Sequence, residues 1–131
     1  MLYIEILSGI WVASAEMIQN KQFLSDNQIG VIINCTQYHD FPNNSCVKIR
    51  LPFSPNSTHE SNLELLKKNR DKILSYIDQY YEKNNILIAC YDGACLSPMI
   101  VAIWLMKRTS LSANQITMMI QGLCDDFQLW C

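Results

Sequence analysis

The feature that most constrains the fold is the stretch Ile86–Met106, which reads ILIACYDGACLSPMIVAIWLM. Its first residues form an apolar run typical of a buried strand, and the residues from Ser97 onward form an apolar run of helical length. The short loop between them begins at Cys90 and contains Gly93. Because such a loop directs several backbone N–H groups and a helix N-terminus at one point, it is suited to binding an anion. The sequence therefore predicts a phosphate-type loop, although the stretch contains no Lys, Arg or His.

The rest of the chain alternates between strand-like and helix-like segments. The other predicted strands are Leu2–Ile6, Ile10–Val12, Val31–Cys35 and Cys46–Leu51. Predicted helices are 15–21 with Ser14 as its cap, 61 to about 82 with a Ser61/Glu64 capping box, Ser97 to about Arg108, and a last helix with a Ser112/Gln115 capping box that ends near Gly122. We predict one α/β domain over residues 1–131, with three layers: a central, mostly parallel sheet of four to five strands flanked by helices.

The charge balance gives no reason to propose a nucleic-acid or membrane partner. Ten Lys and Arg stand against twelve Asp and Glu, and no uncharged run is long enough to cross a bilayer. Glu5 interrupts the first apolar run, which argues against a signal peptide, so we expect reduced thiols and a cytoplasmic or nuclear, not secreted, protein. His39 has no second His or Cys at metal-ligand spacing, so neither a metal nor a cofactor is predicted.

Residues 89–97 read Ala-Cys-Tyr-Asp-Gly-Ala-Cys-Leu-Ser. This segment resembles the His-Cys-x-x-Gly-x-x-Arg-Ser signature of the dual-specificity phosphatases, a branch of the cysteine-dependent protein tyrosine phosphatase superfamily. Other segments are similar to that family at matching positions, namely Leu7–Ser14, Val31–Thr36, Leu51–Phe53 and Ile103–Met106. The resemblance covers essentially the whole chain and implies the family's fold, with the phosphatase-like loop between a strand and a helix.

The resemblance also implies roles for the loop residues. In the family, the cysteine thiolate attacks phosphorus, the loop amides and an arginine hold the phosphate oxygens, and an aspartic acid protonates the leaving oxygen. Cys90 then holds the nucleophile position, and Ser97 is the hydroxyl that bonds the sulfur. The anion loop comprises Tyr91, Asp92, Gly93, Ala94, Cys95 and Leu96. A helix N-terminus is expected to lower the pKa of Cys90, and we favour the nucleophile position for this residue over a buried structural thiol. An N-cap is the alternative role for Ser97 and needs no catalysis.

Three of the five working parts of the family's site are missing. Leu96 replaces the arginine, Ala89 replaces the histidine before the cysteine, and no Asp occurs between Asp40 and Asp71, where the general acid is expected. Glu60 or Glu64 can in principle replace that acid, but capping is the simpler role for Glu64. Losing a bidentate arginine removes on the order of 3–6 kcal/mol, and the Asp92 carboxylate would repel a phosphate.

We therefore predict a catalytically impaired phosphatase-like protein, a pseudophosphatase with a vestigial Cys90. It would act as a binding or scaffolding module for a protein partner, including a phosphorylated one, and a homodimer is compatible with the sequence. The alternative is a low-activity dual-specificity phosphatase that hydrolyses a phosphoprotein or another phosphoester through a Cys90 phosphoenzyme. A rhodanese-like persulfide carrier is a third interpretation, which the N-terminal similarities disfavour.

Two further features stay open at the level of the sequence. Cys95 can form a reversible disulfide with Cys90 if their α-carbons lie within about 7 Å, or can be a small filler behind the loop, which we favour. A partner surface can include aromatic side chains, although each is more often found in a core. They are Tyr38, His39, Phe41, Phe53, Trp104 and Trp130.

Overall fold

A five-stranded sheet organises the computed structural model, which describes residues 3–55, 59–127 and 129. The strands are β1 (Tyr3–Leu7), β2 (Ile10–Ser14), β3 (Ile29–Asn34), β4 (Val47–Arg50) and β5 (Asn85–Cys90). Their order in the sheet is β1-β2-β5-β3-β4, with β1 and β2 antiparallel and every other neighbouring pair parallel. The predicted α/β fold with a mostly parallel central sheet is confirmed.

Helices cover both faces of this sheet. A 3₁₀ helix (Ala15–Gln19) is followed by α1 (Lys21–Asp26), α2 (His59–Tyr80), α3 (Leu96–Arg108) and α4 (Ala113–Gln121). Because successive strand residues point to opposite faces, Ile86, Ile88 and Cys90 of β5 join the core under α2, α3 and α4, while Leu87 and Ala89 join the core under the 3₁₀ helix and α1. The continuous apolar run of β5 thus reflects a strand that is buried on both faces.

Two predicted helix starts in the N-terminal half of the chain are wrong. Ser14 is the last residue of β2 and makes no side-chain cap, because the strand continues to pair with Cys90 of β5. The predicted helix over 15–21 is instead a 3₁₀ turn followed by α1, whose cap is the side chain of Asn20. Helix α2 spans His59–Tyr80, so the predicted start at Ser61 lies two residues inside the helix.

Of the two predicted helix starts in the C-terminal half, one is wrong and the other is confirmed. Ser97 lies inside the first turn of α3, whose N-cap position is Cys95 without a side-chain cap bond, so the predicted N-cap role of Ser97 is wrong. The Ser112/Gln115 capping box is confirmed, with both reciprocal hydrogen bonds present. The start of α4 is fixed by hydrogen bonds between neighbouring residues, Ser112 and Gln115. At the start of α3, the backbone N–H of Ser97 instead bonds the sulfur of Cys90.

Some aromatic side chains considered for a partner surface belong to the core. Phe53 and Trp104 are buried, and the Trp104 indole donates a hydrogen bond to Asp78 Oδ1 at 2.8 Å. Tyr38 is 85% exposed, while Trp130 lies outside the described residues. Phe127 and Leu129 of the tail are buried against the body, as predicted.

In the described ranges, no helix combines the length and the apolar character needed to cross a membrane.

Candidate active site

The loop of residues 91–95 leaves the carboxyl end of the central strand β5 and enters α3. Gly93 lies within it at φ +73°, a left-handed conformation that favours glycine. A Cβ atom at this position would lie 2.6 Å from the carbonyl carbon of Ala13 and 2.6 Å from the backbone nitrogen of Ser14. The loop therefore packs directly on the end of β2, and only glycine allows so close an approach.

Cys90 lies at the base of this loop as a buried free thiol. Its sulfur accepts a hydrogen bond from the backbone N–H of Ser97 at 3.4 Å. Burial nevertheless raises the pKa of the Cys90 thiol, and the Asp92 carboxylate raises it further, against the lowering by Ser97 and by the Gly93 N–H. The predicted lowering of this pKa is wrong, because the loss of solvent outweighs the donors at the start of α3.

Ser97 is fully buried next to this sulfur. Its hydroxyl lowers the pKa of the Cys90 thiol, although the two groups do not meet the geometry of a full hydrogen bond. The hydroxyl of Ser14, which pairs with Cys90 across the sheet, also has no hydrogen-bond partner in the described part of the chain. The structure thus brings the predicted pair Cys90 and Ser97 together, with the backbone N–H of Ser97 hydrogen-bonded to the sulfur.

Asp92 forms a turn inside the loop. Its Oδ1 atom accepts a hydrogen bond from the backbone N–H of Ala94 at 2.9 Å and lies 3.8 Å from the Cys90 sulfur, the distance of a long S–H donor contact. This is the local pattern by which an Asp side chain bonds the backbone two residues further along. One of the amides that an anion loop would offer to a ligand is therefore already bonded to a carboxylate.

Tyr91 has a structural role that the sequence did not reveal. Its hydroxyl donates to the carbonyl oxygen of Phe53 at 2.6 Å and accepts from the backbone N–H of Gln37 at 3.0 Å. These partners lie 38 and 54 residues away along the chain, so no local pattern indicates them. The side chain therefore connects the loop to the segments that follow β3 and β4.

A cavity of about 230 Å³ opens beside Cys90. Its apolar wall includes Leu63 of α2 with Leu96 and Met99 of α3, and its polar side includes Ser54, Asn62 and Asp92. Leu96, which stands at the position of the signature arginine in the sequence resemblance, is thus part of an apolar wall. Among the described residues that line the cavity there is no Lys, Arg or His.

The family follows from a comparison with known domains. The model of the dual specificity phosphatase catalytic domain matches residues 10–127, which is most of the chain. The chain belongs to the dual-specificity phosphatase family. No curated protein matches this dual-specificity phosphatase domain by sequence.

Solved structures agree with this dual-specificity phosphatase fold. Human DUSP28 matches with a TM-score of 0.77 and 14% identity over 98% of this chain and 87% of that chain. A leucine rich repeat and phosphatase domain containing protein from Entamoeba histolytica matches with a TM-score of 0.78 and 21% identity over 97% of this chain and 81% of that chain. A human tyrosine phosphatase-like serine/threonine/tyrosine-interacting protein matches with a TM-score of 0.72 and 12% identity over 97% and 87%. At these identities the matches show the fold alone.

Arg50 is a second side chain that sequence reasoning missed in this dual-specificity phosphatase domain. Its guanidinium donates to the carbonyl oxygens of Thr36 at 2.9 Å and His39 at 2.8 Å, and lies 5.0 Å from the ring centre of Phe41. It does not line the cavity. This cation therefore holds the segment after β3 and is not directed at the loop.

The cysteines of the domain differ from the prediction at one position. Cys95 is disulfide-bonded and Cys90 is a free thiol, so a Cys90–Cys95 disulfide is absent. The filler interpretation of Cys95 and the expectation of reduced thiols are both wrong at this position. Cys35 is a buried free thiol next to β5, and burial, followed by the charge of Cys90, raises the pKa of Cys35 well above its ordinary value.

Within the described ranges there is no cluster of three or more His, Cys, Asp or Glu side chains arranged to hold a metal ion.

Proposed function

We propose that this dual-specificity phosphatase domain is a pseudophosphatase, a degenerate member of its family that works as a binding or scaffolding module for a protein partner. The proposal rests on one hydrogen bond within the loop and on the absence of a positive charge among the described residues that line the cavity. Asp92 accepts the Ala94 N–H, while Leu96 lies in the apolar wall beside Cys90. A phosphate dianion entering this loop would meet a carboxylate and no arginine.

The energetic cost of this arrangement is large compared with the strength of a typical ligand contact. A bidentate arginine supplies two charge-assisted hydrogen bonds, worth on the order of 3–6 kcal/mol together. That corresponds to roughly two to four orders of magnitude in binding or rate. Leucine supplies neither the charge nor a donor, so these interactions are lost with no described side chain of the cavity to replace them.

The nucleophile position is also unfavourable for attack. The reactive form of cysteine is the thiolate, and burial raises the pKa of the Cys90 thiol. The thiol is therefore protonated at neutral pH. Proton delivery to a leaving group is equally unsupported, because Ser54 and Pro55 follow Phe53 where the family resemblance implies an aspartic acid.

The partner that fits this proposal is a protein of the cytoplasm or nucleus. Self-association into a homodimer is compatible with the same proposal. A structural neighbour supports a binding role for the fold. The human tyrosine phosphatase-like serine/threonine/tyrosine-interacting protein carries a name that describes an interaction and not a reaction.

A phosphatase assay tests the proposal directly. Turnover of p-nitrophenyl phosphate and of a phosphotyrosine peptide is measured for the parent chain and for Cys90→Ser at equal concentration. We expect identical rates, at the level of the buffer. A parent rate that disappears in Cys90→Ser would overturn the proposal.

The second candidate is a slow phosphatase that acts through Cys90 and the loop amides. The observation that favours it is the Ser97 N–H, which donates to the Cys90 sulfur and would stabilise a thiolate. This candidate predicts a phosphocysteine at Cys90 when the chain is quenched in acid during incubation with substrate. Mass spectrometry of the Cys90 peptide, with Cys90→Ser as the control, decides between the two.

A further inference from the structure

We propose that the cavity beside Cys90 binds the uncharged aromatic side chain of a tyrosine on a protein partner and rejects the same side chain when it is phosphorylated. The proposal rests on the pseudophosphatase function and specifies what its cavity recognises. It also disfavours this cavity as the place where a phosphorylated partner is bound.

The charges around the cavity favour a neutral occupant over an anionic one. Asp92 is exposed and carries the one carboxylate among the described lining residues, and no described lining residue carries a positive charge. A phosphate monoester brings up to two negative charges close to this carboxylate, and like charges at such distances are repulsive even near the protein surface. A phenol brings none.

The apolar lining residues of the cavity suit an aromatic ring. Leu63, Leu96 and Met99 contribute aliphatic and thioether surface from two helices, α2 and α3. Apolar surface of this kind gains free energy by covering a ring, and methionine sulfur makes favourable contacts with aromatic rings. An arginine at position 96 would place a charge here, whereas leucine extends the apolar wall.

The polar edge of the cavity offers an acceptor for a phenolic hydroxyl. Oδ1 of Asp92 is bonded to Ala94, while Oδ2 has no donor within the described part of the chain. A hydroxyl that donates to a carboxylate forms a short, charge-assisted hydrogen bond. Phosphorylation of tyrosine removes this donor and adds charge, so one modification eliminates the bond and introduces repulsion.

The test uses small probes, because the partner is unidentified. The parent chain, labelled at Leu and Met methyl groups, is titrated with p-cresol and with p-tolyl phosphate, and the methyl resonances of Leu63, Leu96 and Met99 are followed by NMR. We expect p-cresol to bind at least about tenfold more tightly than p-tolyl phosphate, a difference of about 1.4 kcal/mol. n-Butylamine, a mimic of lysine, is expected to bind more weakly than p-cresol.

Asp92→Asn tests the carboxylate while keeping an oxygen that can accept from Ala94. We expect the preference for p-cresol to shrink severalfold in Asp92→Asn. Asp71→Asn removes an exposed carboxylate of α2 that does not line the cavity, and it is expected to keep the preference of the parent.

Four outcomes would overturn the inference: equal or tighter binding of p-tolyl phosphate, no methyl shift with either aryl probe, tighter binding of n-butylamine, or an unchanged preference in Asp92→Asn. These outcomes do not decide whether the domain is a pseudophosphatase. Tight binding of p-tolyl phosphate without turnover would remove this inference and leave the pseudophosphatase, whereas turnover that depends on Cys90 would remove the pseudophosphatase.

Discussion

The Oδ1 atom of Asp92 accepts a hydrogen bond from the backbone N–H of Ala94 at 2.9 Å, within the loop between β5 and α3. A loop that binds phosphate uses such amides for its ligand. Here the chain supplies its own carboxylate to one of them. The uncharged side chain of Leu96 is therefore not the sole feature that opposes anion binding, and the contributions of Leu96 and Asp92 are separable by mutation.

An arginine placed at position 96 should raise the affinity for an anion only in part. We expect Leu96→Arg to bind vanadate more tightly than the parent, and Leu96→Arg with Asp92→Ala to bind it more tightly again, by about two orders of magnitude or more over the parent. The reason is that the double variant has both the guanidinium fork and a vacant Ala94 amide. Isothermal titration calorimetry with vanadate measures the series.

Leu96→Lys is the matched control for that series, because it restores charge without the planar fork and should gain less than arginine. If Leu96→Arg alone equals the double variant, the Asp92–Ala94 hydrogen bond does not oppose anion binding.

Gly93→Ala should destabilise the domain strongly. The added Cβ would lie 2.6 Å from backbone atoms of Ala13 and Ser14, and the φ of +73° is strained for alanine. We expect a loss of more than about 2 kcal/mol in the free energy of unfolding, measured by urea denaturation. Gly122→Ala is the control at a helix end with φ −65°, where the loss should be much smaller. Equal losses at the two sites would show that the contact with β2 is unimportant.

Tyr91→Phe should cost stability through hydrogen bonds and not through packing. The change removes the donor to Phe53 and the acceptor for Gln37, and it leaves two partly buried backbone groups without those partners. We expect the free energy of unfolding to fall by about 1–3 kcal/mol. Tyr38→Phe, at a tyrosine that is 85% exposed, should change it little. Thermal and urea unfolding of the two variants measure the difference, and similar effects would contradict the role given to Tyr91.

The pH dependence of stability should report on the buried thiol of Cys35. Its pKa is raised well above the ordinary value, so above about pH 8.5 the unfolded chain releases a proton that the folded chain retains. The folded state of the parent therefore loses stability as pH rises, by up to about 1.4 kcal/mol per pH unit. Cys35→Val lacks this titration, so the stability of the parent should fall relative to Cys35→Val between pH 7.5 and 10. Parallel curves for the two proteins would contradict the prediction.

The strand–loop–helix unit at Ile86–Met106 was predictable from sequence because its signals are local and strong. A β-branched run that is buried on both faces gave β5 (Asn85–Cys90), and an apolar run of helical length gave α3 (Leu96–Arg108). The hydrogen bond from Ala94 to Asp92 also has a local signal in the sequence, since Asp commonly bonds the amide two residues further along.

Other features depend on contacts that no local pattern contains. Serine at a helix start predicted a cap correctly at Ser112, where the helix lies at the surface, and wrongly at Ser97, where the Cys90 sulfur takes the backbone N–H. The pKa of Cys90 was predicted in the wrong direction because the sequence shows the helix that follows but not the depth of burial. The contacts of Tyr91 join segments far apart in the chain.

The close approach of Gly93 to Ala13 and Ser14 has a consequence for how such loops change over evolutionary time. A residue that the backbone itself requires is retained by selection for folding, whether or not the loop performs any reaction. Position 96, in the first turn of α3, faces no such backbone requirement. A loop with the shape of a phosphatase loop can therefore be retained without the reaction, and in this chain Gly93 is required by the close packing of the loop on β2.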